Sequence, residues 1–190
     1  MTELVAPPPA IATETWTYEK YARVTAEGEW FTIIGGEKIT PPSRTTLHQS
    51  ILGNLCFLLN TWAKQTHIGQ MGLGPLDVVF TETDVVQPDI IFILDSHSDR
   101  WATTHINGAP DMIVEIVSPS TIRLDRVKKR ALYAQHGVPE YWIVSPGERT
   151  VEVLQLKGTA YELFGLYEED VLQSPLLSGF ICAVKDIFEE

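Results

Sequence analysis

Asp89, Glu115 and Lys129 are the residues of this 190-residue chain whose types and settings suggest metal-assisted chemistry. Glu115 stands inside Met112-Ile-Val-Glu-Ile-Val. Side chains alternate between the faces of a strand, so Asp111, Ile113, Glu115 and Val117 share one face, and Met112, Val114 and Ile116 the other. A buried charge without a partner is costly, so a carboxylate among Ile and Val needs a partner, a metal or an exposed sheet edge. Asp89 opens Ile90-Ile-Phe-Ile-Leu in the same manner, directly after Pro88. Two carboxylates on neighbouring strands suit Mg²⁺, which takes few protein oxygens and keeps water and substrate phosphate in its other positions. A cation beside such an ion could position attacking water and neutralise charge growing on a phosphate. Asp125, Lys129 and Tyr133 follow at i, i+4 and i+8, one stripe of a helix, which makes Lys129 the best-placed cation. Each residue also has a plainer reading. Glu115 alone fits a satisfied structural acid, Asp125 with Lys129 fits a solvated ion pair, Asp111 after Pro110 fits a strand cap, and Tyr133 and Trp142 fit packing positions.

The elements that must hold these residues follow from periodicity and punctuation. Residues 1–12 are rich in Pro and Ala without periodicity and read as a flexible arm, leaving 13–190 as one expected domain. A short helix is expected within 13–26. Residues 30–40 read as a β-hairpin about Gly35-Gly36, since tight hairpins require positive φ. After Ser43 or Thr45, either of which could be an N-cap, Ile51, Leu52, Leu55, Leu58, Leu59 and Trp62 recur at helical spacing. Strands are expected at 67–71, 76–80 and 89–94, followed by a polar loop over 95–107. A strand at 112–117, a helix at 121–136 closed by Gly137, and a strand at 140–144 have the outline of a βαβ unit with parallel strands. In that helix Leu124, Val127, Ala131 and Ala134 form the stripe expected to pack on the sheet. A hairpin about Lys157-Gly158 and a short helix at 184–188 complete the chain.

Composition sets limits on function. There are 14 Lys and Arg against 25 Asp and Glu, a formal net charge of -11. Nucleic-acid affinity normally rests on basic side chains that displace counterions, so any such contact must use a local patch or divalent cations. The dense basic cluster is Arg123, Arg126, Lys128, Lys129 and Arg130. The apolar runs fall far short of the roughly 20 residues that span a bilayer. The opening segment lacks the basic and apolar regions of a secretory signal, so a cytoplasmic location with no membrane partner is expected. Cys56 and Cys182 sit among apolar neighbours and suit reduced, buried side chains. The five histidines lack ligand-like spacing, which makes zinc improbable. His48, one turn before the Ile51-Leu52 face, fits helix packing better than a site, although it merits watching.

Gln87-Pro-Asp-Ile, Ala109-Pro-Asp-Met-Ile-Val-Glu-Ile-Val-Ser-Pro-Ser-Thr, Asp125 with Lys129 and Tyr133, and Gly137-Val-Pro-Glu-Tyr-Trp-Ile-Val-Ser-Pro resemble the Uma-two family of restriction-endonuclease-like proteins. The resemblance extends to Gly36-Glu37, to Leu47-His48-Gln49 and to residues 174–188. That family belongs to the PD-(D/E)XK nuclease superfamily. The resemblance therefore implies an α/β fold with a mixed sheet, flanking helices and an N-terminal β-hairpin, and a Mg²⁺ or Mn²⁺ phosphodiesterase site. It implies that Asp89 is the Asp of the PD element, that Glu115 is the second acid, and that the Ile116 backbone carbonyl completes the metal shell. The superfamily's usual Lys would fall at Val117, and the family supplies it instead from the following helix, at Lys129. The chain departs from the pattern at Thr32 and Gly35, where the family carries acids, while Glu37 survives. A homodimer is the assembly the resemblance makes reasonable.

Three functions remain open at this level. The first is a divalent-metal-dependent endodeoxyribonuclease using Asp89, Glu115 and Lys129, favoured by the intact triad. The second is a catalytically idle protein of the same fold that binds nucleic acid or a protein partner, favoured by Thr32 and the net charge. The third is hydrolysis of a smaller phosphodiester, since the triad does not specify the polymer.

Overall fold

The computed structural model describes residues 14–25, 28–40 and 44–189. The expected arm at 1–12 and the candidate cap Ser43 lie outside them. In chain order the helices are α1 (Tyr18–Thr25), α2 (Thr46–Thr66), α3 (Arg130–Gln135) and α4 (Val184–Phe188). The strands are β1 (Thr32–Ile34), β2 (Glu37–Ile39), β3 (Gly69–Leu73), β4 (Asp77–Thr81), β5 (Asp84–Val86), β6 (Ile90–Leu94), β7 (His105–Asn107), β8 (Met112–Ile116), β9 (Glu140–Ser145), β10 (Thr150–Lys157), β11 (Ala160–Tyr167), β12 (Val171–Gln173) and β13 (Ile181–Ala183).

A mixed six-stranded sheet in the order β11-β10-β9-β8-β6-β3 forms the centre. Its β8 and β9 run parallel, joined by the expected helical crossover, and the other neighbours are antiparallel. A five-stranded sheet, β2-β1-β5-β4-β7, carries the N-terminal hairpin, whose turn residues Gly35 and Gly36 have φ of 57° and 78°. Both values lie in the left-handed region that glycine adopts more readily than residues with a Cβ.

Alternation along the central strands sorts two cores. Ile90, Phe92, Met112, Val114, Ile116 and Trp142 face α2 and α4, against Ile51, Leu55, Leu59 and Ile187. Ile91, Ile93, Ile113, Tyr141 and Ile143 face the other way, against Leu132 and Tyr133 of α3 and Val78, Val86 and Ile106 of the second sheet. α2 starts where Thr45 accepts the His48 N–H, so Thr45 is the observed N-cap.

Two expectations need correction. The stretch 95–107 contains a 3₁₀ turn over Asp95–Arg100 and the strand β7, and β5 was not foreseen. The crossover helix also turns a different face inward. Val127 is 59% exposed and Ala131 is exposed, whereas Asp125, Lys129, Leu132 and Tyr133 are buried. Its first part, Leu124–Lys129, is π-helical, and the buried carboxylate of Glu115 requires the charged stripe on that side.

Candidate active site

Asp89 directly precedes β6 and Glu115 lies in β8. In the antiparallel pair Ile90 faces Val114, and one further step of the same register sets Asp89 opposite Glu115. The Ile116 N–H donates to Asp89 Oδ2 at 2.8 Å. A strand residue directs its N–H and C=O to the same side, so the Ile116 carbonyl also leaves on the Asp89 side.

The remaining partners of Asp89 come from the start of α2. The Arg44 guanidinium lies 2.9 Å from Oδ1, and His48 Nε2 lies 3.1 Å from Oδ2. An ionised carboxylate only accepts, so Nε2 carries the proton, and His48 Nδ1 is buried with no hydrogen-bond partner among the described residues. Burial would raise the Asp89 carboxyl; the His48 hydrogen bond and charge, the Ile116 N–H and Arg44 outweigh it and hold the group below the usual carboxylate range. The positive N-terminal end of α2 acts in the same direction.

Glu115 is held from the other side. Lys129 Nζ donates to its Oε1 at 2.9 Å and the Tyr133 hydroxyl donates to the same oxygen at 2.6 Å. Its Oε2 accepts no hydrogen bond among the described residues. Burial pushes the Glu115 carboxyl up to about 8 despite Lys129, and the neighbouring Asp125 and Asp89 charges add to the rise. Burial alone would lower the Lys129 ammonium, but Glu115 and Asp125, whose Oδ1 is 3.0 Å away, raise it and keep it charged. The Asp125–Lys129 pair is therefore a buried contact rather than a solvated one.

A cleft of about 890 Å³ opens on this arrangement. Asp89, Glu115, Ile116, Lys129 and His48 all line it, and Tyr133 is fully buried behind Glu115. His48, expected to pack on the helix face, touches Asp89 instead. Two of the candidates lie elsewhere. Asp111 sits at the opposite end of β8 with His97, Arg100 and the Leu94 N–H. Glu37 is exposed in the hairpin and pairs with Lys128 at 2.9 Å. Thr32 does line the cleft, where its hydroxyl donates to Gln87 Oε1 at 3.4 Å. Sequence reasoning missed Arg44 and Trp30, both at the cleft. The signal for Arg44 was its position just before a helix N-cap, where anions gather.

Among the described residues no three His, Cys, Asp or Glu side chains are grouped as metal ligands. Asp89, Glu115 and Asp125 all bring carboxylates to the cleft, and Ile116 lines it as well.

The model of the family described as "putative restriction endonuclease" matches residues 17–185. The chain belongs to this family, Uma-two. Its fold is similar to the crystal structure of a "putative nuclease" from Anabaena variabilis, with a TM-score of 0.75 and 23% identity over 90% of this chain and 97% of that one. The mixed sheets and flanking helices are thus those of a restriction-endonuclease-like fold. No curated protein matches the chain. No helix is long and apolar enough to cross a membrane among the described residues.

Proposed function

We propose that this Uma-two protein is a divalent-metal-dependent endodeoxyribonuclease with its active centre at Asp89, Glu115 and Lys129. The observation that carries the reading is that the carboxylates of Asp89 and Glu115 and a charged lysine line one cleft, with Glu115 Oε2 accepting no hydrogen bond among the described residues. The donor set fits Mg²⁺ or Mn²⁺: hard oxygen ligands, few in number, with room for water and phosphate. Asp89, Glu115 and the Ile116 carbonyl would hold the ion. When bound it would polarise the scissile phosphate and acidify a water.

The chain's own groups do the rest. Tyr133 fixes Glu115 by donating to Oε1, which leaves Oε2 for the cleft. Asp125 and Glu115 keep Lys129 charged and steady, so its ammonium can orient water and offset charge growing on the phosphate. His48 and the Ile116 N–H orient Asp89.

The ion pairs of Asp89 with Arg44 and of Glu115 with Lys129, together with Thr32, favour a second reading, an idle nuclease fold that binds nucleic acid or protein. Incubation with supercoiled plasmid and single-stranded DNA in Mg²⁺, Mn²⁺ or EDTA separates the two. Metal-dependent cleavage lost in Glu115→Ala and Lys129→Ala supports the nuclease. Cleavage untouched by both substitutions would falsify the site, and no cleavage in any metal selects the binding protein.

A further inference from the structure

We infer that the cleft takes unpaired nucleotides, so that the substrate is single-stranded or locally splayed DNA rather than intact duplex. This deepens the nuclease reading and rests on it for the nature of the polymer.

The first observation is where the positive charge goes. The dense basic cluster of the sequence is engaged within the protein. Arg126 pairs with Glu152, Lys128 with Glu37 and Lys129 with Glu115 and Asp125, while Arg130 donates to the Tyr161 carbonyl. Arg123 is the member without such a partner among the described residues. Arg44, the other cleft cation, is paired with Asp89. Duplex binding draws its strength from many phosphate contacts, and in a chain of net charge -11 four of the five residues of the basic cluster already have partners within the protein.

The second observation is the cleft wall. Trp30, Leu47 and Ile122 line the cleft and stay 47%, 39% and 41% exposed. Carboxylates that would hold a divalent ion, together with apolar surface beside them, complement a nucleotide, whose phosphate would meet the ion and whose base has an apolar π-face. In a duplex that face is hidden by stacking; in an unpaired strand it can lie on an aromatic side chain. A volume of about 890 Å³ is in the range of sites for small-molecule-sized ligands, the scale of a few splayed nucleotides.

The test is fluorescence anisotropy with sequence-matched, fluorescein-labelled single strand, duplex, and duplex carrying an unpaired loop. It is run in Ca²⁺ with the Glu115→Gln full-length protein, so that binding is read whether or not the protein cleaves. Single strand and looped duplex are expected to bind at least about tenfold tighter than duplex, with Trp30→Ala removing about tenfold and Trp30→Phe retaining most of it. Affinity is expected to fall only shallowly with salt, as for one or two phosphate contacts. Equal binding of duplex and single strand, or Trp30→Ala binding like its parent, overturns the inference. Trp30-dependent single-strand binding without any cleavage by the unsubstituted protein keeps this inference and overturns the nuclease reading. Duplex cleavage that ignores Trp30 does the reverse.

Discussion

Pro88-Asp89 and Pro110-Asp111 sit at opposite ends of one antiparallel strand pair and make closely parallel contacts. Asp89, before β6, accepts the N–H of Ile116 at the end of β8; Asp111, before β8, accepts the N–H of Leu94 at the end of β6, both at 2.8 Å. Each also meets one Arg and one His: Arg44 and His48 for Asp89, Arg100 and His97 for Asp111. Both carboxylates are buried. What separates the two ends is what else converges there. The Asp89 end receives Glu115, Lys129 and the N-terminus of α2 around a cleft, whereas Asp111 lies outside that cleft and is held by His97 and Arg100 of the 3₁₀ turn. A Pro-Asp pair with an Arg and a His is thus a way to close a strand end. Under the proposed nuclease reading, reactivity would come from the second acid and the lysine.

The largest effect should fall at the Asp89 end. Asp89→Asn or Glu115→Ala is expected to lower metal-dependent plasmid nicking by about 100-fold or more, while Asp111→Asn, which keeps one of the two accepting oxygens and lies outside the cleft, leaves turnover per folded molecule within a factor of about two. Nicking lost equally in Asp111→Asn would erase the distinction between the ends.

Stability should respond in the opposite sense. Asp111→Ala strands the Leu94 N–H and is expected to cost about 2 kcal/mol, a fall in Tm of roughly 5 °C by calorimetry. An unchanged Tm would mean that the Asp111 end is not the structural cap described here.

Titration in EDTA sharpens the electrostatic contrast at the cleft. Glu115, raised from 4.5 to about 8, holds a proton in the fold that the unfolded chain has released. Its contribution therefore erodes stability as pH climbs from about 4.5 to 8, by up to about 1.4 kcal/mol per pH unit. Asp89, held below its ordinary 3.8, adds stability that is present above that value and lost as pH falls through the lower folded value. Denaturant melts of wild type and Glu115→Gln should diverge toward alkaline pH, with the variant the more stable; parallel curves would contradict the burial argument.

The smallest effect is expected from Tyr133→Phe. Losing one hydrogen bond to Glu115 Oε1 should cost about 1 kcal/mol and reduce nicking several-fold, measurable as a change in rate at saturating metal. A loss as large as that of Glu115→Ala would make Tyr133 part of the reacting centre rather than a support for it.

Much of the fold was legible because it is local. Thr45 as a cap, the Gly35-Gly36 hairpin, Gly137 behind α3 (φ 77°), the βαβ unit and α4 all rest on turn geometry or short-range periodicity. The three-residue strands β5 and β7 are too short for alternation to register. The inward face of the crossover helix was misjudged because apolar stripes normally pack on sheets. Here a buried Glu115 reverses the preference and draws Asp125, Lys129 and Tyr133 against the strand.

The sequence by itself determined that Glu115 lies amid an apolar strand, that Asp89 opens its neighbour, and that Lys129 shares a helical stripe with Asp125 and Tyr133. Alternation and helical periodicity carry that information within short segments. Only the tertiary structure decided that Arg44 and His48, 45 and 41 residues before Asp89, hold its carboxylate, that Trp30 stands at the cleft mouth, and that Asp111 has its own separate enclosure. Those contacts depend on the register of β6 with β8 and on where α2 begins, and no spacing along the chain encodes a distance between segments that meet only when the sheet closes.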